Sequence, residues 1–179
     1  LPKEYGFKER LGFSRGVAET DDLRELLKVN IPSAISVRTT IKIDDEHGTD
    51  AWVDRKNLPS LSVDIKIREL DPIQYNPPKD DLALETYSDI DKGTKGWTRN
   101  PQKRTDYVMW FFRPTKRWVL IPFPLLCRVF IEKWRIWKSQ YRVAIQKTTE
   151  DGKCWYSECV FVPRVVIWRE IIKRYGGKP

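Results

Sequence analysis

The chain has 179 residues, 40% of them hydrophobic and 32% charged, with 33 Lys and Arg against 25 Asp and Glu for a formal net charge of +8. That length suits one domain with a sizeable core and no need of staples. The composition excludes a disordered chain, and no apolar run reaches the roughly 18–20 residues of a membrane span. A chain that begins at Leu1 without a secretory signal reads as one shortened by processing or trimming.

The net charge conceals an asymmetry. Residues 1–90 hold 13 basic and 18 acidic residues, a net of −5, and residues 91–179 hold 20 and 7, a net of +13. Such a split hints at a nucleic-acid or membrane partner, and equally suits a solvated basic surface.

Residues 1–20 read as loop or short helix. Thr20 or Asp21 caps a helix over Asp22–Val29 with Leu23, Leu26 and Leu27 on one face, and Pro32 ends it. Ala34–Ile43 reads as a strand, residues 44–48 as a polar turn, and Thr49–Val53 and Leu61–Ile67 as a hairpin about a turn at Arg55–Pro59. Pro72, Pro77 and Pro78 make Asp71–Asp81 a loop. Leu82–Tyr87 is a short strand and Asp89–Arg104 a wide turn. Asp106–Phe112 and Arg117–Ile121 are buried strands about Arg113-Pro114.

A helix over Leu125–Arg142 puts Leu126, Phe130, Trp134, Trp137 and Tyr141 on one face. Arg128, Glu132, Arg135, Lys138 and Arg142 lie on the other. Tyr141–Lys147 and Cys154–Val162 flank a Glu150-Asp151-Gly152 turn, and a last helix covers Arg164–Tyr175 behind Pro163. Strands mixed with helices indicate an α/β or α+β domain.

Several chemistries are disfavoured. Cys127, Cys154 and Cys159 are odd in number and form no CxxC pair, which argues against a zinc ribbon or a disulfide scaffold and fits a reducing cytoplasm. Cys127 reads as a small core residue. His47 is the sole histidine, and its place before a glycine favours a plain loop role over a catalytic one. No glycine-rich phosphate loop exists.

The informative stretch is Asp50, followed by Asp64-Ile65-Lys66. Strand side chains alternate faces, so Asp64 and Lys66 point one way while Val63, Ile65 and Ile67 point the other. Charges in an apolar strand are costly unless paired or bound to metal. Two carboxylates from adjacent strands suit a hard divalent cation such as Mg²⁺, which polarises a phosphoryl oxygen and activates a bound water. A neighbouring lysine orients that water or offsets transition-state charge.

These residues resemble the PD-(D/E)xK nucleases, the restriction-endonuclease-like superfamily: an Asp on one strand, then Asp or Glu, any residue, and Lys on the next. Downstream, Glu85 in a short strand, Gly96-Trp97 and Thr105-Asp106-Tyr107 resemble a pattern in phage and bacterial members, so the resemblance spans about Ile43–Ile121. Thr49 stands where the pattern has Pro, and Asp64 where Glu is commoner.

The resemblance implies an α/β fold with a mixed central sheet flanked by helices. It implies one nuclease-like domain over 1–179, with a motif core at about 43–121 and a basic helix, hairpin and helix at about 122–179. It implies a cytoplasmic, phage or bacterial endonuclease using Mg²⁺ or Mn²⁺. Asp50, Asp64 and the Ile65 carbonyl would hold the metal, and Lys66 would position or activate the water. Glu85 would be a further ligand or an outer carboxylate, an assignment level with that of a plain strand-edge charge. Glu25 is the upstream candidate, though it lies opposite Leu23, Leu26 and Leu27 and reads rather as solvated. Homodimers are common among such nucleases, since two strands need two sites, and by that analogy alone a homodimer is open to this chain, whose oligomeric state its sequence does not give.

Residues 99–142 carry 11 basic and two acidic residues. Arg99, Lys103, Arg104, Arg128, Arg135, Lys138 and Arg142 are the candidate phosphate contacts, and Trp97 the candidate for stacking on a base. Trp134 and Trp137 read as core. The expected partner is nucleic acid, DNA before RNA, and no membrane. The alternative is a non-catalytic nucleic-acid-binding module that keeps the fold or mimics the motif. A structural protein that binds partners through its aromatics ranks last.

Overall fold

The structure, a computed structural model, describes residues 3–6, 21–39 and 48–176. His47, the acidic residues of the 44–48 turn and the proposed Thr20 cap lie outside the described residues. The chain divides into two compact units.

The motif unit comprises Glu9–Leu70 and Gln102–Pro124. It contains helix α1 (Asp21–Asn30) and strands β2 (Ala34–Thr39), β3 (Ala51–Arg55), β4 (Leu58–Arg68), β7 (Tyr107–Phe112) and β8 (Arg117–Pro122). The sheet order is β2-β3-β4-β7-β8. All neighbours are antiparallel except β4 and β7, which run parallel with Val63 opposite Tyr107 and Asp64 opposite Val108.

Leu23, Leu27 and Ile31 bury against Ala51, Val53, Val63, Ile65, Met109 and Phe111, which is the core beneath one sheet face. Complete burial of Leu23 and Leu27 contributes about 1.5–3 kcal/mol each. The β3–β4 hairpin closes with Arg55 opposite Leu58. Its turn residue Asn57 sits at φ 57, a left-handed conformation that Asn tolerates. Asp54 joins three strands, accepting hydrogen bonds from Ser36, Arg38 and Ser60.

The second unit comprises Leu1–Lys8, Asp71–Pro101 and Leu125–Pro179. Its sheet is β1 (Lys3–Gly6), β9 (Val143–Glu150), β10 (Lys153–Pro163), β5 (Asp81–Asp89) and β6 (Thr94–Lys95), in that order, with only β1 and β9 parallel. Helix α2 (Phe123–Gln140) begins at the end of the motif unit, and α3 is Arg164–Tyr175. Buried residues include Leu82, Leu84, Leu126, Phe130, Trp134, Trp137, Val160, Val162, Ile167 and Ile171. The β9–β10 loop is the two residues Asp151 and Gly152, both at positive φ, as a tight primed hairpin turn requires.

The α/β class and the mixed pairing agree with the sequence reading. The single central sheet does not: the strands fall into two five-stranded sheets, each mixed. Residues 71–101 accordingly leave the stretch at 43–121 and join the second unit. Alternation reports which face of a strand is buried, not which strand lies beside it. Helix α2 starts at Phe123 and stops at Gln140, so Tyr141 and Arg142 lie past its end.

Candidate active site

Asp50 stands one residue before β3, and its N–H donates to the Val63 carbonyl at 2.9 Å, extending the hairpin by a rung. Its carboxylate then reaches along β4 and accepts the Ile65 N–H at 2.6 Å. Residues 63 and 65 turn their peptide groups to the same edge of β4, so the Ile65 carbonyl also faces the Asp50 side. Asp64 and Lys66 project from the sheet face opposite the Val63 and Ile65 core, as the alternation predicts.

Asp64 is 2% exposed; Oδ1 accepts a hydrogen bond from Lys66, whereas Oδ2 has an ammonium close by but accepts no hydrogen bond of good angle. Lys66 Nζ lies 2.7 Å from Oδ1 and Lys103 Nζ 2.7 Å from Oδ2. A buried carboxylate needs such partners, since an uncompensated charge there costs several kcal/mol. Lys103 precedes β7 in an irregular segment, and its side chain is only 9% exposed. Gly48, at φ +81, makes room for it: a Cβ there would stand 2.3 Å from Nζ and 2.7 Å from Cε. The Phe123 ring lies 5.9 Å from the same ammonium.

The segment around Lys103 is held on both sides. Thr49 Oγ1 donates to the Arg104 carbonyl at 2.9 Å. Asp106 accepts from both the N–H and the hydroxyl of Ser62. The Thr105-Asp106-Tyr107 run thus leads into the strand beside the motif strand and is tied to it.

The two carboxyls titrate far apart. Burial pushes Asp50 up to about 7, the charge of Asp64 and a hydrogen bond shared with it add to the rise, and Lys66 and the Ile65 N–H oppose it. Burial also opposes ionisation of Asp64, but Lys66, Lys103 and the hydrogen bond with Asp50 prevail and hold it at about 2. Burial opposes the charge on Lys66, yet Asp64 and Asp50 keep its ammonium above the ordinary lysine value. Lys103 falls below that value through burial and the nearby Lys66, against the pull of Asp64.

Asp50, Asp64, Lys66 and the Ile65 carbonyl are therefore together in the motif unit. Glu85 belongs to the second unit, where its carboxylate accepts the Trp97 N–H at 2.8 Å and its own N–H donates to Thr98 Oγ1. Gly96 permits that turn, because a Cβ there would lie 2.4 Å from the Glu85 carbonyl oxygen. Among the described residues, no three His, Cys, Asp or Glu side chains converge as a metal cluster. Glu25 is exposed and lies 3.7 Å from Lys28, in keeping with a solvated role.

The basic residues divide by environment. Arg104, Arg128, Arg135 and Arg142 are exposed. Lys103 is not, which corrects its reading as a surface phosphate contact: its ammonium is committed to Asp64. Lys138 lies 2.8 Å from Glu158 Oε2, a carboxylate that also accepts the Thr86 hydroxyl. Arg99 lies 3.9 Å from the Trp134 ring centre and 4.9 Å from that of Tyr87, and donates to the Thr86 carbonyl. Arg142 covers Phe161 at 3.5 Å. Trp97 is half-buried in a single 3-10 turn. Trp134 and Trp137 are core, as read, and so is Cys127.

Sequence reasoning missed Lys103 because its contact spans 39 residues and carries no periodicity. The available signal was its place four residues before Tyr107, which heads the strand paired with the DxK strand.

Among the described residues, no helix is long and apolar enough to cross a membrane. The chain matches no protein-family model, no curated protein and no solved structure.

Proposed function

We propose that the protein is a metal-dependent nuclease of restriction-endonuclease-like fold, hydrolysing phosphodiester bonds in nucleic acid, with DNA the favoured substrate. The observation that carries this reading is the juxtaposition of Asp50 and Asp64, with Lys66 2.7 Å from Asp64 on the same strand face. The mixed sheet, in which the DxK strand pairs antiparallel on one side and parallel on the other, supports it.

The donor set suits a hard cation. Two carboxylates and the Ile65 carbonyl offer only oxygen, with Asp50 in contact with Asp64 and bonded to the Ile65 N–H. Mg²⁺ or Mn²⁺ held there would supply Lewis acidity to the phosphoryl oxygen and to a bound water. With a pKa of about 7, Asp50 takes up and releases a proton near neutrality, which suits a general base or a ligand that ionises on demand. Lys66 stays charged, and its ammonium would offset charge developing on a phosphate oxygen. Exposed Arg104, Arg128, Arg135 and Arg142 are the candidates for phosphate contact.

A nuclease assay on DNA and RNA with Mg²⁺ or Mn²⁺ tests the reading. The wild type should cut, and Asp50→Ala, Asp64→Ala and Lys66→Ala should each lose roughly a hundredfold or more. Absence of cutting with either metal, or variants as active as wild type, overturns it.

One observation favours the second reading, a non-catalytic nucleic-acid-binding module. Two lysines already lie against Asp64, so the cluster is charge-balanced without a metal once Asp50 is ionised as well. That module would bind DNA in a salt-sensitive way that EDTA leaves unchanged.

A further inference from the structure

The lysine of the DxK motif accounts for one ammonium on Asp64; the second, on Lys103, lies outside the motif. We propose that Lys103 is the resident cation of the Asp50–Asp64 site, and that a divalent ion must displace it from Asp64 Oδ2 to bind. This inference rests on the metal-site reading above and adds the residue that governs loading of that site.

Three observations lead there. The first is position. Lys103 Nζ lies 2.7 Å from Asp64 Oδ2, while Lys66 holds Oδ1 at the same distance. The Lys103 ammonium therefore fills the carboxylate oxygen that Lys66 leaves open.

The second is accommodation. A long basic side chain is ordinarily at the surface, and this one is 9% exposed. The backbone at Gly48 provides the space, with a left-handed φ of +81 and no Cβ; any side chain there would meet the lysine terminus at 2.3 Å. The pocket is built around the ammonium.

The third is charge and contact geometry. Two carboxylates and two ammoniums sum to zero when all are ionised. A divalent ion added to that set leaves it at +2, and departure of Lys103 brings it to +1. The two lysines have the same four-carbon stem, but Lys66 donates a well-formed hydrogen bond to Oδ1 from a central strand, whereas Lys103 approaches Oδ2 from an irregular segment and that oxygen accepts no hydrogen bond of good angle. Lys103 is thus the partner that yields. While in place it offsets the charge of Asp64 at Oδ2.

The test measures Mn²⁺ binding to the whole chain by calorimetry and by the electron paramagnetic resonance of free Mn²⁺, for wild type and Lys103→Met. Removing the competing cation should tighten binding about tenfold or more. Affinity that is equal or weaker in Lys103→Met overturns the inference and leaves the metal-site reading standing. If neither protein binds Mn²⁺, both fall. A second measurement uses wild type alone, in case the variant does not fold. Acetylation of Lys103 by an amine-reactive ester, followed by peptide mass spectrometry, should rise severalfold as Mn²⁺ is added. Unchanged labelling at saturating Mn²⁺ overturns the inference.

Discussion

Replacing Asp50 by Asn should abolish a specific pH dependence of stability. In the folded protein Asp50 titrates at about 7, against 3.8 for an unhindered aspartate. A carboxyl whose folded pKa is raised favours folding most when protonated. Its contribution is complete below about pH 4, where both states carry the proton. It declines as pH rises, because the unfolded chain releases the proton while the folded chain retains it. It is exhausted above about pH 7, where both have lost it. A shift of about three units at 1.36 kcal/mol each gives a total loss of roughly 4 kcal/mol between pH 4 and pH 7.

Asn cannot ionise, and its carbonyl still accepts the Ile65 N–H. The difference between Asp50→Asn and wild type isolates this one group. It cancels the titration of His47 and the other carboxylates, provided Asp64, Lys66 and Lys103, which face Asp50, keep their charge over the range. Asp64 at about 2 and Lys66, held above the ordinary lysine value, do so; repeating the comparison in a Lys103→Met background removes any contribution from Lys103, whose ammonium burial weakens. Urea unfolding in EDTA at pH 4.5, 6 and 8 is the assay. The variant should gain on wild type by several kcal/mol from pH 4.5 to 8, nearly all of it before pH 7. A stability difference that is flat with pH would mean that Asp50 ionises normally, and the account of a buried, proton-sharing carboxylate would be wrong.

Further outcomes follow from the same geometry. Asp64→Asn leaves two buried ammoniums without their carboxylate and should cost about 3–5 kcal/mol in chemical denaturation; adding Lys103→Met should recover part of that loss, and strictly additive effects would deny their pairing. Gly48→Ala forces a Cβ against the Lys103 terminus at a positive φ, so it should destabilise by about 1–3 kcal/mol, with the double variant Gly48→Ala/Lys103→Met less affected than the sum. Gly96→Ala drives a Cβ to 2.4 Å from the Glu85 carbonyl oxygen and should lower the melting temperature by several degrees or more, whereas the open turn at Gly93 has nothing within 4 Å and its Ala variant should suffer only the strain of its φ. Wild type should be stabilised by millimolar Mn²⁺ more at pH 8 than at pH 5.5, because the ligand Asp50 is ionised only at the higher pH; equal shifts in melting temperature would refute its place in the metal site.

What was legible in the sequence was local. Helix α1 is written in Leu23 and Leu27 and closed by Pro32, and α3 in the step from Pro163 to Gly176, so both agree with the reading to within a residue or so. The β3–β4 hairpin is written in the alternation of Val63, Asp64, Ile65 and Lys66, which also gives the face of each side chain. Partnership was not legible. The pairing of β1 with β9 joins residues more than 140 positions apart. The division of strands between two sheets depends on edges that alternation does not describe. The two-residue strand β6 and the 3-10 turn at Trp97 are too short to show a period. The basic stretch at 99–142 reads as one phosphate-binding surface, but several of its members face aromatic rings and carboxylates of their own unit. Arg99 lies over Trp134 and Lys138 on Glu158.

The division of labour between the two aspartates follows from that same distinction between local and distant contacts. Both are short carboxylates at the end of one hairpin, and nothing in their type separates them. Asp64 receives two ammoniums, one from its own strand and one from a segment 39 residues away, and is driven to ionise. Asp50 receives a peptide N–H and the proton it shares with Asp64, and is driven to stay neutral until about pH 7. Pairs of acids pushed apart in this way are how one site holds a permanent charge and an exchangeable proton together. The motif predicts that two carboxylates meet; Lys66 and, after it, Lys103 make Asp64 the anion. Exchanging the distant lysine for Met should therefore change the titration of Asp50 as well as that of Asp64. With less positive charge on Asp64, the proton they share moves toward it, and Asp50 ionises at a lower pH. Carboxyl chemical shifts of the two aspartates, followed by NMR through the titration, would show the two curves draw together in Lys103→Met, and curves that stay as far apart as in wild type would refute this origin of the split.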